Sequence, residues 1–370
     1  MSASGKIRVL IVDDSALVRK ILSVGLGKDR QIEVVGQAGD PYRARDLIVE
    51  LHPDVITLDV EMPRMDGVTF LKRFMPIMPI PTVVISSLTQ AGKRVTLDAL
   101  EAGAVDVIAK PTIGLTDGLP VMLDDICARV KEAATVNVAH FARKEVSFAV
   151  ETVQASLGET TDRVIAIGAS TGGVPALADI LPAFPADAPG ILVVQHMPAG
   201  FTTTFAERLN ASCRMQVKEA EEGDRVLPGR ILIAPGSFKH MRLVRSGGEY
   251  RVTLADGAPV NFSRPSVDVL FESVARHAGG NAAAALLTGM GKDGAAGLLD
   301  IRRAGGRTFA QDEETCVVFG MPRAAQALDA AELMLPLGKI PAALVTAVQS
   351  IRVAGGGGTV NRAANHRGTA

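Results

Sequence analysis

Between Ile7 and Ala134 short apolar runs alternate with longer stretches of helical period, and this rhythm constrains the fold more than any other feature of the chain. "IRVLIVDD", "QIEVVGQAG", "DVITLDVEMP", "PTVVISS" and "AVDVIAKP" read as strands. "SALVRKILSVGL", "PYRARDLIVELH", "DGVTFLKRFM", "KRVTLDALEAG" and "LPVMLDDICARVKEAA" read as helices, the first with Ser15 as N-cap and the second opened by Pro41. Strict alternation of this kind predicts a doubly wound parallel sheet with helices on both faces.

The chain has 370 residues, so two domains are expected. A receiver-sized unit fills 6–134, a linker of mixed periodicity 135–161, and a second α/β unit 162–352; the Gly-rich 353–370 reads as a disordered tail. In the second unit the strands "VIAIGA", "GILVVQH", "RILIAPG", "RVTLAD", "AAAALLTGMG" and "GRTFAQDE" are interleaved with helices over 174–181, 201–210, 266–278, 294–304, 321–330 and 340–350.

A net charge of −1 and the absence of Trp offer nothing to a nucleic acid, and a DNA-binding output domain is disfavoured. Cys127, Cys213 and Cys316 stand singly, without metal spacing. No signal-peptide pattern and no membrane-length apolar run is visible, so a cytoplasmic protein without membrane insertion is expected.

Acids crowd the strand ends of the first unit. Asp13 and Asp14 follow the first strand, Asp59 ends the third, Ser86 the fourth and Lys110 the fifth. Parallel sheets gather their sites along that edge. Three converging carboxylates repel one another, and a hard cation such as Mg²⁺ relieves this. Residues 6–130 closely resemble the response-regulator receiver family, with its flavodoxin-like fold. The resemblance implies that Asp59 accepts a phosphoryl group from a histidine kinase. It further implies that Asp13, Asp14, Asp59 and the main chain at Glu61 hold Mg²⁺, that Ser86 and Lys110 bind the phosphoryl oxygens, and that the Lys110–Pro111 bond is a candidate cis peptide. Val107 stands where the family often carries an aromatic switch residue.

In the second unit, Gly168-Ala169-Ser170-Thr171-Gly172-Gly173 sits between a strand and a helix. Its glycines alone allow a phosphate cradle, a nucleophile elbow or a plain turn. A nucleophilic Ser needs a base and an orienting acid. His196 closes the next strand, with His240 as its rival. Asp293 lies in the Gly-dense "TGMGKDGAAG", with Asp312 as its rival, and helix capping is the plainer role for Asp293. A nucleotide-binding module is the alternative, but no P-loop Lys and no G-x-G-x-x-G spacing supports it.

Residues 163–350 resemble the catalytic domain of the chemotaxis protein-glutamate methylesterase family through "IGASTGG", "QHMPAGFT", "APG", "RPSVDVLFES", "TGMGKDGAAG" and "QDEETCVVFGMP". That resemblance implies a phosphorylation-regulated enzyme. It would demethylate glutamate γ-methyl esters, and deamidate glutamines, on methyl-accepting chemoreceptors. Ser170 would be nucleophile, His196 base and Asp293 orienting acid. Thr171 and the main-chain amide of Met290 would line the oxyanion site, with no cofactor for the ester chemistry.

Overall fold

The computed structural model describes residues 5–86, 89–110, 119–136, 138, 162–236 and 238–350. Most of the linker, the C-terminal tail and the Lys110–Pro111 bond lie outside the described residues.

The first unit runs β1 (Ile7–Val12), α1 (Ala16–Leu26), β2 (Ile32–Ala38), α2 (Pro41–Leu51), β3 (Val55–Asp59), α3 (Gly67–Phe74), β4 (Thr82–Ser86), α4 (Gln90–Glu101), β5 (Asp106–Ala109) and α5 (Leu119–Ala133). Its parallel sheet has the order β2-β1-β3-β4-β5, the flavodoxin-like arrangement. The helices start where local chemistry satisfies their free amides. Ser15 Oγ accepts from Val18 N, and Asp40 accepts from Tyr42 N and Arg43 N with Pro41 in the first turn. Such caps contribute about 1 kcal/mol each.

Register sets the functional edge. Val12 pairs with Leu58, Asp59 with Ile85, and Ser86 with Ala109. Asp13, Asp59, Ser86 and Lys110 therefore leave neighbouring strands at nearly one level.

The second unit contains β6 (Val164–Ala169), α6 (Gly173–Ile180), β7 (Gly190–Gln195), α7 (Phe201–Ser212), β8 (Gln216–Glu219), β9 (Arg230–Ile233), β10 (Lys239–Ser246) and β11 (Glu249–Asp256). It continues with α8 (Val267–His277), β12 (Ala282–Leu286), α9 (Ala295–Arg303), β13 (Arg307–Gln311), α10 (Met321–Ala327), β14 (Leu333–Leu335) and α11 (Ile340–Ser350). Seven parallel strands form one sheet in the order β14-β13-β12-β6-β7-β9-β8, and β10 and β11 form a separate antiparallel hairpin. Three strands, β8, β10 and β14, exceed the sequence expectation. The apolar "AAAALLTGMG" run is strand only as far as Leu286, because the glycines beyond it build a loop.

Strand order reverses at β6. The chain moves from β6 to β7 on one side and later places β12 on the other. Ligands in open α/β sheets bind beyond the strand ends at such a reversal. β6, β7 and β12 are buried throughout, as strands covered on both faces must be.

The two units touch. Helix α4 packs on α6 and α7, and one apolar cluster runs across the boundary, with Leu97 and Leu100 on one side and Val174 and Leu177 on the other. Arg208 on α7 bonds the carboxylates of both Asp98 and Glu101 on α4.

Candidate functional site

Ala169 pairs with Gln195 across β6 and β7, so Ser170 and His196 leave adjacent strands side by side. On the other flank Gly168 pairs with Leu286 of β12, which leads through Thr288 and Met290 to Asp293. Three strand ends thus bring Ser170, His196 and Asp293 to one place.

The loop of Ser170 is pinned from below by buried amides. Ser170 N donates to Thr288 O at 3.0 Å, and Thr288 N donates to Gln311 Oε1 at 2.8 Å. Gln195 Nε2 donates to Ser170 O at 2.9 Å and to His196 O at 3.1 Å, tying the two main chains together. Gly172 turns the chain with φ +76° into α6, a conformation that side chains disfavour. The main-chain amides of Thr171 and Met290 have no acceptor among the described residues. The N-terminus of α6 (Gly173–Ile180) begins three residues after Ser170.

His196 Nε2 lies 2.8 Å from Asp293 Oδ2. Its Nδ1 faces Ser263 Oγ at 3.3 Å, and among the described residues no hydrogen bond joins Ser170 Oγ to the ring.

Asp293 is 2% exposed and heavily solvated by protein. Oδ2 also accepts from Val267 N at 2.7 Å, while Oδ1 accepts from Ser266 Oγ at 2.7 Å, Asp268 N at 3.2 Å and Asn261 Nδ2 at 3.2 Å. Burial pushes its pKa up, but the bond and charge of His196 and the donors at the start of α8 outweigh burial and hold it below the ordinary value. The helix that Asp293 precedes takes Gly294 as its N-cap, so this carboxylate does not cap its own helix; it accepts instead from the first two amides of α8.

The rivals have other occupations. His240 is buried, with Nδ1 accepting from Ser266 N at 3.1 Å and Nε2 on Ala258 O at 3.0 Å. Asp312 caps its own turn by accepting from Thr315 N and Oγ1.

The first unit roofs this cluster. A cavity of only about 20 Å³ lies between Val105, Asp106 and Val107 on one side and Ser170, Thr171 and His196 on the other. That volume is about that of a single water molecule, so the space over Ser170 is nearly filled in this arrangement.

At the strand-end edge of the first unit Lys110 Nζ lies 2.6 Å from Asp59 Oδ2 and 3.4 Å from Asp13 Oδ2. Burial raises the pKa of Asp59 to about 6 against the bonds and charge of Lys110 and the bond from Glu61 N. Burial raises Asp13 as well. The pKa of Lys110 is lowered by burial but raised further by the two acids, and the net direction is up. Ser86 is fully buried, its Oγ 3.3 Å from Gly92 O. Ligand oxygens of Asp13, Asp14 and Asp59 lie within 4.8 Å of one another. Asp13 Oδ2 is buried and accepts no short hydrogen bond, with Lys110 Nζ standing off at 3.4 Å, so the acids fit a small divalent cation.

Sequence reasoning missed Asn261, Ser263, Gln195 and Gln311. The two glutamines sit at strand ends near Ser170, His196 and Asp312, and that placement was the available signal.

Residues 9–115 match the family described as response regulator receiver domain, and residues 165–344 match the family described as CheB methylesterase. A protein-glutamate methylesterase/protein-glutamine glutaminase of Syntrophotalea carbinolica is 57% identical over 94% of this chain and 99% of its own length. One of the same name, of group 2 operon, from Cereibacter sphaeroides is 56% identical over 93% of this chain and 92% of its own length. The solved catalytic domain of CheB methylesterase from Thermotoga maritima is 42% identical and covers 50% of this chain and 97% of that one, with a TM-score of 0.49. A receiver joined to an α/β domain with serine, histidine and aspartate at adjoining strand ends defines a response regulator with an enzymatic output. The chain belongs to the CheB methylesterase family, with a receiver domain in front.

Proposed function

We propose that this protein hydrolyses γ-methyl esters of glutamate side chains on methyl-accepting chemoreceptors, and deamidates receptor glutamines, under control of phosphorylation at Asp59. The observation that carries the reading is the meeting of Ser170, His196 and Asp293 at three adjoining strand ends, with His196 Nε2 2.8 Å from Asp293 Oδ2.

His196 takes the proton of Ser170 Oγ through Nδ1, the nitrogen not bound to Asp293. Ser170 attacks the ester carbonyl, and the amides of Thr171 and Met290 hold the oxyanion, a contribution of about 3 kcal/mol per donor in comparable sites. The imidazolium returns its proton to the leaving oxygen and methanol departs. Water then attacks the acyl-enzyme with His196 as base, freeing the glutamate. An amide carbonyl follows the same path with loss of ammonia. Asp293, held as a carboxylate by α8, stabilises the charged ring.

Because the receiver roofs Ser170, turnover requires the domains to separate. Asp59 is the phosphoryl acceptor, with a histidine kinase as donor. Asp13, Asp14, Asp59 and the main chain at Glu61 would hold Mg²⁺, which neutralises charge during phosphoryl transfer. Lys110 and Ser86 bind the phosphoryl oxygens. Once Asp59 is modified, Lys110 loses its present partner at 2.6 Å and re-pairs. That change shifts the closed arrangement toward the open one. Among the described residues no helix is long and apolar enough to cross a membrane, in keeping with a cytoplasmic enzyme acting on receptor cytoplasmic domains.

The experiment is methanol release from a methylated receptor fragment, with and without a small-molecule phosphodonor. Ser170→Ala that retains release sinks the nucleophile assignment, and Asp59→Ala that still responds to the donor sinks the switch.

A further inference from the structure

The segment Val260–Ser263 is a two-residue reverse turn closed by Val260 N to Ser263 O at 3.1 Å and Ser263 N to Val260 O at 2.9 Å. Its central residues, Asn261 and Phe262, have φ of +50° and +63°. Turns with two left-handed positions favour Asn-Gly. Asn261 fits. Phe262 stands where glycine is expected, in a region that bulky side chains rarely adopt.

The rest of the turn is anchored to the candidate triad. Asn261 Nδ2 bridges Asp293 Oδ1 at 3.2 Å and Asp268 Oδ2 at 2.7 Å. Ser263 Oγ meets His196 Nδ1. Between these two anchored neighbours the Phe262 ring points outward and is fully exposed. It supports nothing inside its own domain, and the receiver does not cover it. Phe238, 76% exposed, lies beneath the guanidinium of Arg264 at 4.9 Å. Arg264 and Lys292, which flank Phe262 and Asp293 in sequence, have no carboxylate partner among the described residues. A strained, exposed aromatic, one residue from each contact to His196 and Asp293, is costly to keep, and Arg264 follows it by two residues while Lys292 adjoins Asp293 in sequence.

We propose that Phe262 is a specificity-determining docking residue. Its ring seats against an apolar side chain of the substrate protein next to the reacting glutamyl group, and Arg264 and Lys292 face that segment's acidic residues. The proposal rests on the reading of the site as a protein-glutamate methylesterase. It adds that the enzyme recognises chain around the ester and not only the ester.

The test measures affinity of the full-length chain carrying Ser170→Ala for a methylated receptor cytoplasmic fragment, with phosphodonor and Mg²⁺ present. Binding is read by fluorescence anisotropy, so it does not depend on turnover. Adding Phe262→Ala or Phe262→Gly weakens binding roughly tenfold, as expected for a half-buried ring. Ile77→Ala, which removes another exposed apolar side chain on the receiver, leaves binding unchanged. In chains with Ser170 intact, the larger part of the loss from Phe262→Ala sits in KM. Phe262→Gly raises Tm by relieving the left-handed residue. Unchanged affinity in both Phe262 variants overturns the proposal. So does a Tm that falls in Phe262→Gly, because the ring would then be holding its own loop. Methanol release by the unmodified chain is scored separately, and its absence counts against the esterase reading alone.

Discussion

His196 Nε2 sits 2.8 Å from Asp293 Oδ2, and this pairing leaves Nδ1 as the nitrogen for a serine. Two serines compete for it. Ser263 Oγ is 3.3 Å away in the closed arrangement, whereas Ser170 has the strand-end position, the free amides and the helix N-terminus. Ser170→Ala is therefore expected to lower methanol release by at least about 10³-fold, and Ser263→Ala by less than about tenfold. Steady-state methanol release on one receptor fragment measures both. The opposite ranking would transfer the nucleophile to Ser263.

Asp293→Asn tests the acid separately. The amide has one acceptor oxygen, and three donors, Ser266 Oγ, Asp268 N and Asn261 Nδ2, converge on the Oδ1 position; an oxygen placed there turns the NH2 toward the ring and the tautomer the wrong way. A loss of kcat of roughly 10³–10⁴-fold is expected, with KM little changed and the fold retained by far-UV circular dichroism. The carboxylate is held below its ordinary pKa. Its contribution to stability is thus present at neutral pH and fades only as pH falls through that lowered value.

Asp59 has the opposite sign. Its pKa in the folded chain is raised from 3.8 to about 6, so the folded state binds the proton more tightly than the unfolded chain does. The associated stability is complete below 3.8 and is lost as pH rises through about 6. Every tenfold gain in proton affinity on folding corresponds to about 1.4 kcal/mol. In metal-free buffer, urea melts from pH 4 to pH 7 should show this slope. Asp59→Asn, which cannot ionise, flattens it. Mg²⁺ flattens it too, because the cation favours the carboxylate. A slope equal in all three conditions would remove Asp59 as its source.

Much of this architecture was readable beforehand for a physical reason. Buried parallel strands such as "VIAIGA" and "GILVVQ" need continuous apolar runs, and the polar residue that ends each run marks the sheet edge where sites form. The strands that escaped notice are short or polar. β8 is Gln216–Glu219, an edge strand carrying Lys218 and Glu219, and β14 is three residues long. β10 sets half-buried Arg242 between buried Met241 and Leu243, a pattern diluted by "KH" and "RS" at its ends. Asn261 and Ser263 were invisible as site residues because their role depends on a turn that brings a loop back over two distant strand ends. The ring orientation of His196 and the roof over Ser170 are likewise tertiary facts.

That roof predicts a gain of function. Arg208 holds Asp98 and Glu101 of α4 from across the boundary, all three partly exposed. Such pairs contribute about 1 kcal/mol together at most after screening. Arg208→Ala should accordingly raise methanol release without phosphodonor by up to about fivefold, and less in high salt. The phosphodonor-activated rate should stay nearly constant. An unchanged basal rate at low salt would mean that apolar packing alone keeps the domains together.

Gly172 offers a test of the nucleophile loop that does not touch the nucleophile. Its φ is +76°, and a Cβ placed there would lie 2.5 Å from Val317 Cβ and 3.2 Å from Thr288 Oγ1. Gly172→Ala carries two costs: about 1 kcal/mol for the left-handed backbone, and about 1–3 kcal/mol for forcing a methyl into filled space. Val317→Gly in the same chain removes the contact at Val317 Cβ, the larger part of the second cost, and leaves the first. The double variant should therefore recover part of the stability lost by Gly172→Ala, measured as a positive coupling in a double-mutant cycle. Activity should recover less completely, because the residual backbone shift is transmitted to Ser170 two residues upstream and to its bond with Thr288 O. Additive losses would place the cost wholly in the backbone and leave the Val317 contact without energetic weight.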